Sequence, residues 1–526
     1  MPDINSKPDH SDVNTPSARD KLVTMDQLSE IANKGRLEGR RVVLCHGVFD
    51  LVHMGHVRHL EVARNEGDVL IVTITADKFV NKGPGRPIFS EQMRAEMLAV
   101  IEYVDWVAIN PGPSAEPILD AVKPDVYVKG SDYENPDEDL TGKIHSERGV
   151  VERHGGRIVF TKDITFSSSN LINSYLDVYD PPLRDFLNNL RSDGGAIRIL
   201  ELIESIRNHR VVLVGETIID EYQYVIPLGK SSKENMIATH YQESEIFAGG
   251  VMAAANHVAE FCSEVEIITT LGENCPYEEM IRSTLKPNIR LTIVRIPDRP
   301  TTRKLRYVDP GYLRKLFEVY FMDDCPLPQE SAAELEQKIK NSTPEADVVI
   351  VTDFGHGMID TKLVDILRES ARFLAVNAQT NGGNRGYNLI TKYSNADYVC
   401  IDAPEARLAV KDKYSDISSI VGDTLPKMIN CRKLIITHGS SGCYAMDNDK
   451  DNVVGRIPAF TKTVVDTVGA GDAFFAVTAP LVAAGGNITD IGFVGNAVGA
   501  MKVGIVGHRK SVEKIPLVKF VTTLLK

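Results

Sequence analysis

The stretch VVDTVGAGDAFFA, residues 464–476, decides the reading of the larger part of the chain. Two valines lead into it, small residues fill positions 469–471, and an apolar run follows from Ala473. Gly469, Ala470 and Gly471 let backbone amides turn inward where a helix begins, which makes a hole for an anion. Asp472 follows directly and can accept the proton of an attacking hydroxyl while a phosphoryl group passes over those amides. The stretch therefore predicts a phosphoryl-transfer site at a helix N-terminus.

Upstream, short apolar runs alternate with helical spacing: RVVLVGETIID (210–220), EVEIITTLG (264–272), ADVVIVTDFG (346–355), RFLAVNAQ (372–379), ADYVCID (396–402) and KLIITHGSSG (433–442). Such alternation predicts one large parallel α/β sheet. With these surroundings, D-T-x-G-A-G-D followed by aromatic residues resembles the C-terminal signature of the ribokinase (PfkB) carbohydrate kinases.

That resemblance implies a ribokinase-like α/β domain over residues 207–526 with a small β lid. It implies Asp472 as the catalytic base. Asp220, Gly249, Gly250 and Asn256 would contact the sugar. Thr437, Gly439, Gly442, Gly469, Ala470, Gly471 and Asn496 would contact the nucleotide and its phosphates, and Glu405 would act near magnesium. In the family's N-x-x-E element Asp402 stands here in place of Asn. Many relatives carry a D-P-K-like segment after the strand at 372–376, whereas this chain has NAQTN, with amides at Asn377 and Gln379.

The first third of the chain shows the same alternation. An amphipathic helix is expected at 24–40. Strands are expected at 41–49, 68–76, 106–110, 125–129 and 157–161, with helices at 52–67 and 90–104. The strand VVLCHGVFD runs into LVHMGHVRHL, which places His53 and His56 three residues apart on one helix face, beside unpaired amides and the positive end of the helix dipole. Two imidazoles there can hydrogen-bond the oxygens of a triphosphate during an in-line displacement.

The string H-G-V-F-D-L-V-H-M-G-H resembles the signature of the HxGH nucleotidyltransferases, a cytidylyltransferase-like superfamily with a Rossmann-like fold. The resemblance implies His53 and His56 as catalytic residues. Phe49, Gly55, Lys82, Arg94, Ser167, Ser168 and Ser169 would contact nucleotide and phosphates. Asp50, Gly130, Asp132 and Tyr133 would contact the second substrate, with Ser131 inside the same element.

Bulk properties agree with a soluble two-domain enzyme. The chain has 526 residues, 43% hydrophobic and 25% charged. Its formal net charge of −13 speaks against a nucleic-acid-binding surface, though local amides and cations still hold phosphates. The seven cysteines contain no CxxC pair and read as reduced thiols. No apolar run approaches a membrane span, and the N-terminus has no signal-peptide pattern, so a cytoplasmic location is expected. The organisation expected is a disordered tail at 1–20, a nucleotidyltransferase domain at 21–178, a linker at 179–206 and the kinase domain at 207–526.

Together the halves resemble the bifunctional heptose 7-phosphate kinase/heptose 1-phosphate adenylyltransferases of surface-glycan synthesis, with the domain order reversed. The elements KGPGRP (82–87), VKGSDYENP (128–136) and RPTTRKLRYVD (299–309) carry that likeness. It implies Mg2+, ATP and a sugar phosphate as ligands. Two alternatives stay open: a CTP-using transferase acting on a sugar or polyol phosphate, and a kinase-like half that serves only for binding or dimerisation. The segment at 224–250 could form a lid that pairs two copies, so a homodimer is expected, without a nucleic-acid or membrane partner.

Overall fold

Val42–Gly47 (β1) shows why the first part of the chain folds as it does. Its apolar residues are buried on both faces, as a central parallel strand requires. Val43 and Cys45 enter one hydrophobic cluster and Val42 and Leu44 the opposite one, following the two-residue period of a strand. The computed structural model describes residues 17–80, 82–83, 85–130, 143–161, 172–173, 179–311, 313–450, 452–461 and 464–526. Of the tail expected at 1–20, residues 1–16 lie outside the described residues, as do the site candidates Ser131, Asp132, Tyr133, Ser167, Ser168 and Ser169, while Ala18–Lys21 form a short helical turn.

The chain divides into two units, Met1–Val178 and Tyr179–Leu525, with Lys526 grouped with the first. In the first, β1 joins Val69–Thr75 (β2), Trp106–Asn110 (β3), Val126–Gly130 (β4) and Arg157–Thr161 (β5) in the parallel order β3-β2-β1-β4-β5. The connection reverses direction between β1 and β4, so a crevice opens above their C-terminal ends, where such sheets bind ligands. The helix Met54–Asn65 starts there.

The second unit is built on a sheet in the order β10-β9-β6-β13-β14-β15-β16-β17-β18. The strands are Arg210–Gly215 (β6), Glu264–Gly272 (β9), Ile289–Ile296 (β10), Val348–Asp353 (β13), Leu374–Ala378 (β14), Asn395–Asp402 (β15), Asn430–Thr437 (β16), Cys443–Asp447 (β17) and Asn452–Ile457 (β18). Pairing is parallel from β10 through β16 and antiparallel at β17 and β18.

A second, four-stranded sheet has the order β12-β11-β7-β8, formed by Thr217–Lys230 (β7), Ile237–Gly250 (β8), Arg303–Asp309 (β11) and Arg314–Phe321 (β12). The distal halves of β7 and β8 are exposed, while their ends nearest Thr217 and Gly250 are buried.

Residues 179–206, expected to link the domains, carry the helices Pro181–Ser192 and Gly195–Ser205. Leu187, Ile199 and Ile203 are buried, and both helices pack on the C-terminal helix Lys514–Leu525. The apolar spacing of Leu183, Leu187 and Leu190 gives the first of them a buried face. Among the described residues no helix is long and apolar enough to cross a membrane.

Candidate active sites in the two units

In the first unit the two histidines are fixed by the helix they cap. His53 is the N-cap, and its Nδ1 accepts from the Gly55 amide at 3.1 Å. His56 returns the bond: its Nδ1 accepts from the His53 amide at 3.3 Å. Each imidazole uses Nδ1 as an acceptor, so in the neutral ring the proton sits on Nε2 and that edge is a donor. The rings lie 4.1 Å apart between centroids, with Phe49 5.3 Å from His56.

Burial, reinforced by the charges of His53, His59 and Lys82, pulls His56 down to about 3. His56 is therefore a neutral donor across ordinary pH. Burial also lowers Lys82 to about 8, against the pull of the Asp50 carboxylate. Phe49 adopts a left-handed backbone, φ 50°, in the turn between β1 and the helix. Gly130 ends β4, the other side of the crevice.

Two residues expected at ligands, Asp50 and Arg94, are bound by protein groups. Asp50 forms an ion pair with Arg86 at 3.3 Å, both side chains fully buried, and accepts from the Ile88 amide at 2.6 Å. Arg94 is also fully buried. Its guanidinium donates to the carbonyls of Phe89, Thr75 and Val48 and to Asp77, so it braces the loops around the end of β1.

In the second unit, Gly469 has φ 72° and caps the helix Ala470–Ala483. A side chain at 469 would meet His508 Cε1 at 2.6 Å, so the turn needs glycine for both conformation and space. The first-turn amides of that helix have no intrahelical carbonyl partners. The turn is held from below by Asp466. This carboxylate accepts from Lys315 Nζ at 2.6 Å, Tyr222 Oη at 2.8 Å and the amides of Val468 and Gly507 at 3.1 and 2.8 Å. Burial opposes its charge, yet these donors hold it down to about 2.

Gln379, Glu405, Thr437, Gly469, Gly471 and Asp472 line one cavity of about 230 Å3. Burial raises the Asp472 carboxyl, partly offset by His508 and by the amide of Gln379, which donates to its Oδ1. Asn377 Nδ2 donates to the Cys400 carbonyl at 2.6 Å. Asp402 and Glu405 form a reciprocal cap on the helix Ala403–Val410, and Glu405 also accepts from the Thr380 amide at 3.1 Å. Burial and then the Asp402 charge push Glu405 up to about 8. Two hard carboxylates crowded at one cavity are a donor set suited to a divalent cation, which would relieve both effects.

Asp220 stands on β7, where Lys304 is its register partner on β11. Burial works against its ionised form, yet His508, with Nε2 at 3.3 Å, and Arg306 together hold it well below the usual carboxylate range. A side chain at Gly249 would come within 2.1 Å of Asp220 Oδ2. Gly442 ends the short turn at 439–441 after Thr437.

Two other expected contacts bond backbone groups with their side chains. The Asn256 side chain bonds the Thr284 carbonyl and the Lys286 amide, both at 3.1 Å. Asn496 donates to the carbonyls of Ile457 and Pro458, both at 3.0 Å.

Sequence reasoning missed Lys304, Arg306 and His508, which the fold brings to Asp220. The spacing of 304 and 306 on one face of a strand was the available signal for the first two. No sequence signal marked His508.

Residues 208–515, more than half of the chain, match the family described as pfkB family carbohydrate kinase. The chain belongs to that family. Residues 44–174 match the cytidylyltransferase-like family, so the pfkB block follows a cytidylyltransferase-like domain.

Among curated proteins, the chain is 35% identical over 163 residues to bifunctional protein HldE of Syntrophotalea carbinolica, covering 30% of this chain and 32% of the relative. It is 43% identical over 156 residues to bifunctional protein HldE of Methylobacillus flagellatus, covering 29% and 30%. The chain thus spans about a third of the length of the curated relatives it matches. Among solved structures, Escherichia coli phosphofructokinase-2 in complex with potassium aligns with a TM-score of 0.49 at 15% identity, covering 60% of this chain and 100% of that one.

Proposed function

We propose that the chain is a bifunctional sugar-activating enzyme. The pfkB half phosphorylates a sugar phosphate with ATP, a heptose 7-phosphate at C1 being the substrate we favour. The cytidylyltransferase-like half transfers a nucleotidyl group, AMP from ATP, to a sugar 1-phosphate with release of pyrophosphate. The observation that carries the reading is that one chain holds both arrangements: the glycine turn with Asp472, and the reciprocal His53–His56 cap. The shared likeness to proteins named bifunctional HldE supports it.

In the kinase half, Asp220 and the close approach at Gly249 orient the sugar hydroxyl. Asp472, its proton affinity raised by burial, accepts the hydroxyl proton as the oxygen attacks the terminal phosphorus of ATP. The amides at Gly469–Gly471 stabilise charge on the phosphoryl oxygens. Glu405 and Asp402 would hold Mg2+, which neutralises triphosphate charge when bound. In the transferase half, the Nε2–H edges of His53 and His56 donate to the triphosphate as the sugar phosphate oxygen attacks the α-phosphorus.

A CTP-using transferase is the second reading, because nothing in the His53–His56 geometry selects a base. Incubating the full-length protein with ATP or CTP and a panel of sugar and polyol phosphates decides between them. ADP formation with a heptose 7-phosphate, and pyrophosphate release with ATP and the 1-phosphate, is the expected result. Pyrophosphate release with CTP alone would favour the second.

We also propose a homodimer formed through the four-stranded sheet, where Leu228, Ile237, Tyr241 and Phe317 are exposed. Light scattering should give twice the chain mass for the wild type and a monomer for Leu228→Glu.

A further inference from the structure

Two buried charges of opposite sign grip the turn that leads to Gly469. The Asp466 carboxylate accepts from the amides of Val468 and Gly507. The carbonyls of the same two residues go to a single side chain: Lys502 Nζ donates to Val468 O at 2.8 Å and to Gly507 O at 2.7 Å. One carboxylate and one amine thus take both main-chain polar groups of two residues far apart in sequence. The amides of Val465 and Asp466 add two more ties, to the Val503 carbonyl at 2.8 and 3.0 Å. The segment that Gly507 begins lies against the turn, since a side chain at Gly469 would meet the His508 ring.

Lys502 is fully buried, and it is the last residue of the helix Ile488–Lys502, where the helix dipole favours a cation. A lysine is almost never buried to this extent unless its partners offset the loss of water. Here the two carbonyls are those partners, and both belong to segments that frame the anion-binding turn. Burial lowers the proton affinity of the amine, while the carboxylates of Asp466 and Asp472 favour its charged form. We propose that Lys502 is a positioning residue for sugar phosphorylation, a built-in cation that fixes the carbonyls of Val468 and Gly507 and so holds the Gly469–Gly471 amides in place for the transferring phosphoryl group. Those amides matter most in the transition state, so loosening them costs turnover rather than ground-state binding.

This inference rests on the kinase reading above. The test uses full-length Lys502→Met, which keeps the length of the stem without the cation, and Lys502→Gln, which keeps a neutral N–H donor. Calorimetric binding of heptose 7-phosphate reports whether the kinase site is folded. In each variant that binds it, kcat for sugar phosphorylation should fall, by about 100-fold in Lys502→Met and by less in Lys502→Gln, with KM for the sugar phosphate within about twofold. Affinity for ADP with aluminium fluoride, a mimic of the phosphoryl group in transit, should fall by a similar factor in the presence of the sugar phosphate, whereas affinity for ADP alone should not change. Pyrophosphate release in the nucleotidyl transfer should stay at the wild-type rate.

Wild-type kcat in Lys502→Met, or equal losses of affinity for ADP alone and for ADP with aluminium fluoride, would overturn the proposal and leave the kinase reading standing. Loss of sugar-phosphate binding in both variants would also overturn it, because Lys502 would then hold the fold rather than the turn. A wild-type chain that phosphorylates no sugar phosphate would overturn the proposal and the kinase reading together.

Discussion

Gln379 Nε2 donates to Oδ1 of Asp472, so the NAQTN segment directly reaches the residue we propose as the base. An uncharged amide holds the carboxylate in place without the strong acidifying effect of a cation. The departure from a D-P-K-like segment is thus compatible with Asp472 acting as the proposed base, whose proton affinity the Gln379 bond lowers.

Gln379 lowers the proton affinity of Asp472, so removing it should raise the pKa of the base. The acid limb of the kcat–pH profile should move to higher pH in Gln379→Ala and to lower pH in Gln379→Lys. Unshifted profiles in both variants would show that the amide does not act on Asp472.

Much of this site was legible before the fold was known. Gly469–Asp472 and His53–His56 are local, and their spacing alone sets turn and helix geometry. The strands were legible because runs such as Val42–Cys45 are apolar on both faces. Less could be read from isolated polar residues, because residue type does not say where a side chain points. Arg94 and Asn496 look like ligand contacts in sequence, and sequence alone does not show that their side chains also bond backbone carbonyls. His508 reaches Asp220 only through long-range packing, which no periodicity reports.

His56 and His59 are pulled down by burial to about 3 and about 4 in the first unit, and His257 to about 3 in the second. The folded state keeps them neutral, whereas the unfolded chain takes up protons near pH 6.5. Their contribution is complete above that pH and is lost as pH falls from about 6.5 toward 4 and then 3. Thermal unfolding midpoints should drop between pH 7 and pH 5, and less steeply in His59→Asn. Identical midpoints at the two pH values would contradict this.

Arg86→Met leaves the fully buried Asp50 without its cation. Breaking a buried pair from one side costs about 3–5 kcal/mol. Denaturant unfolding should register that loss in the transition of the first unit. A change below about 1 kcal/mol would show that Asp50 does not depend on Arg86.

Gly249→Ala places a methyl 2.1 Å from Asp220 Oδ2, while His508 and Arg306 restrain that carboxylate from moving aside. The KM for the sugar phosphate should rise by about tenfold or more, with nucleotidyl transfer unchanged. An unaltered KM would remove Asp220 from the sugar site.

The central claim, two separable active sites in one chain, is tested most directly by assaying full-length Asp472→Asn for both reactions. The account predicts loss of sugar phosphorylation together with wild-type pyrophosphate release from ATP and a supplied sugar 1-phosphate. Sugar phosphorylation that persists at the wild-type rate in this variant would contradict it.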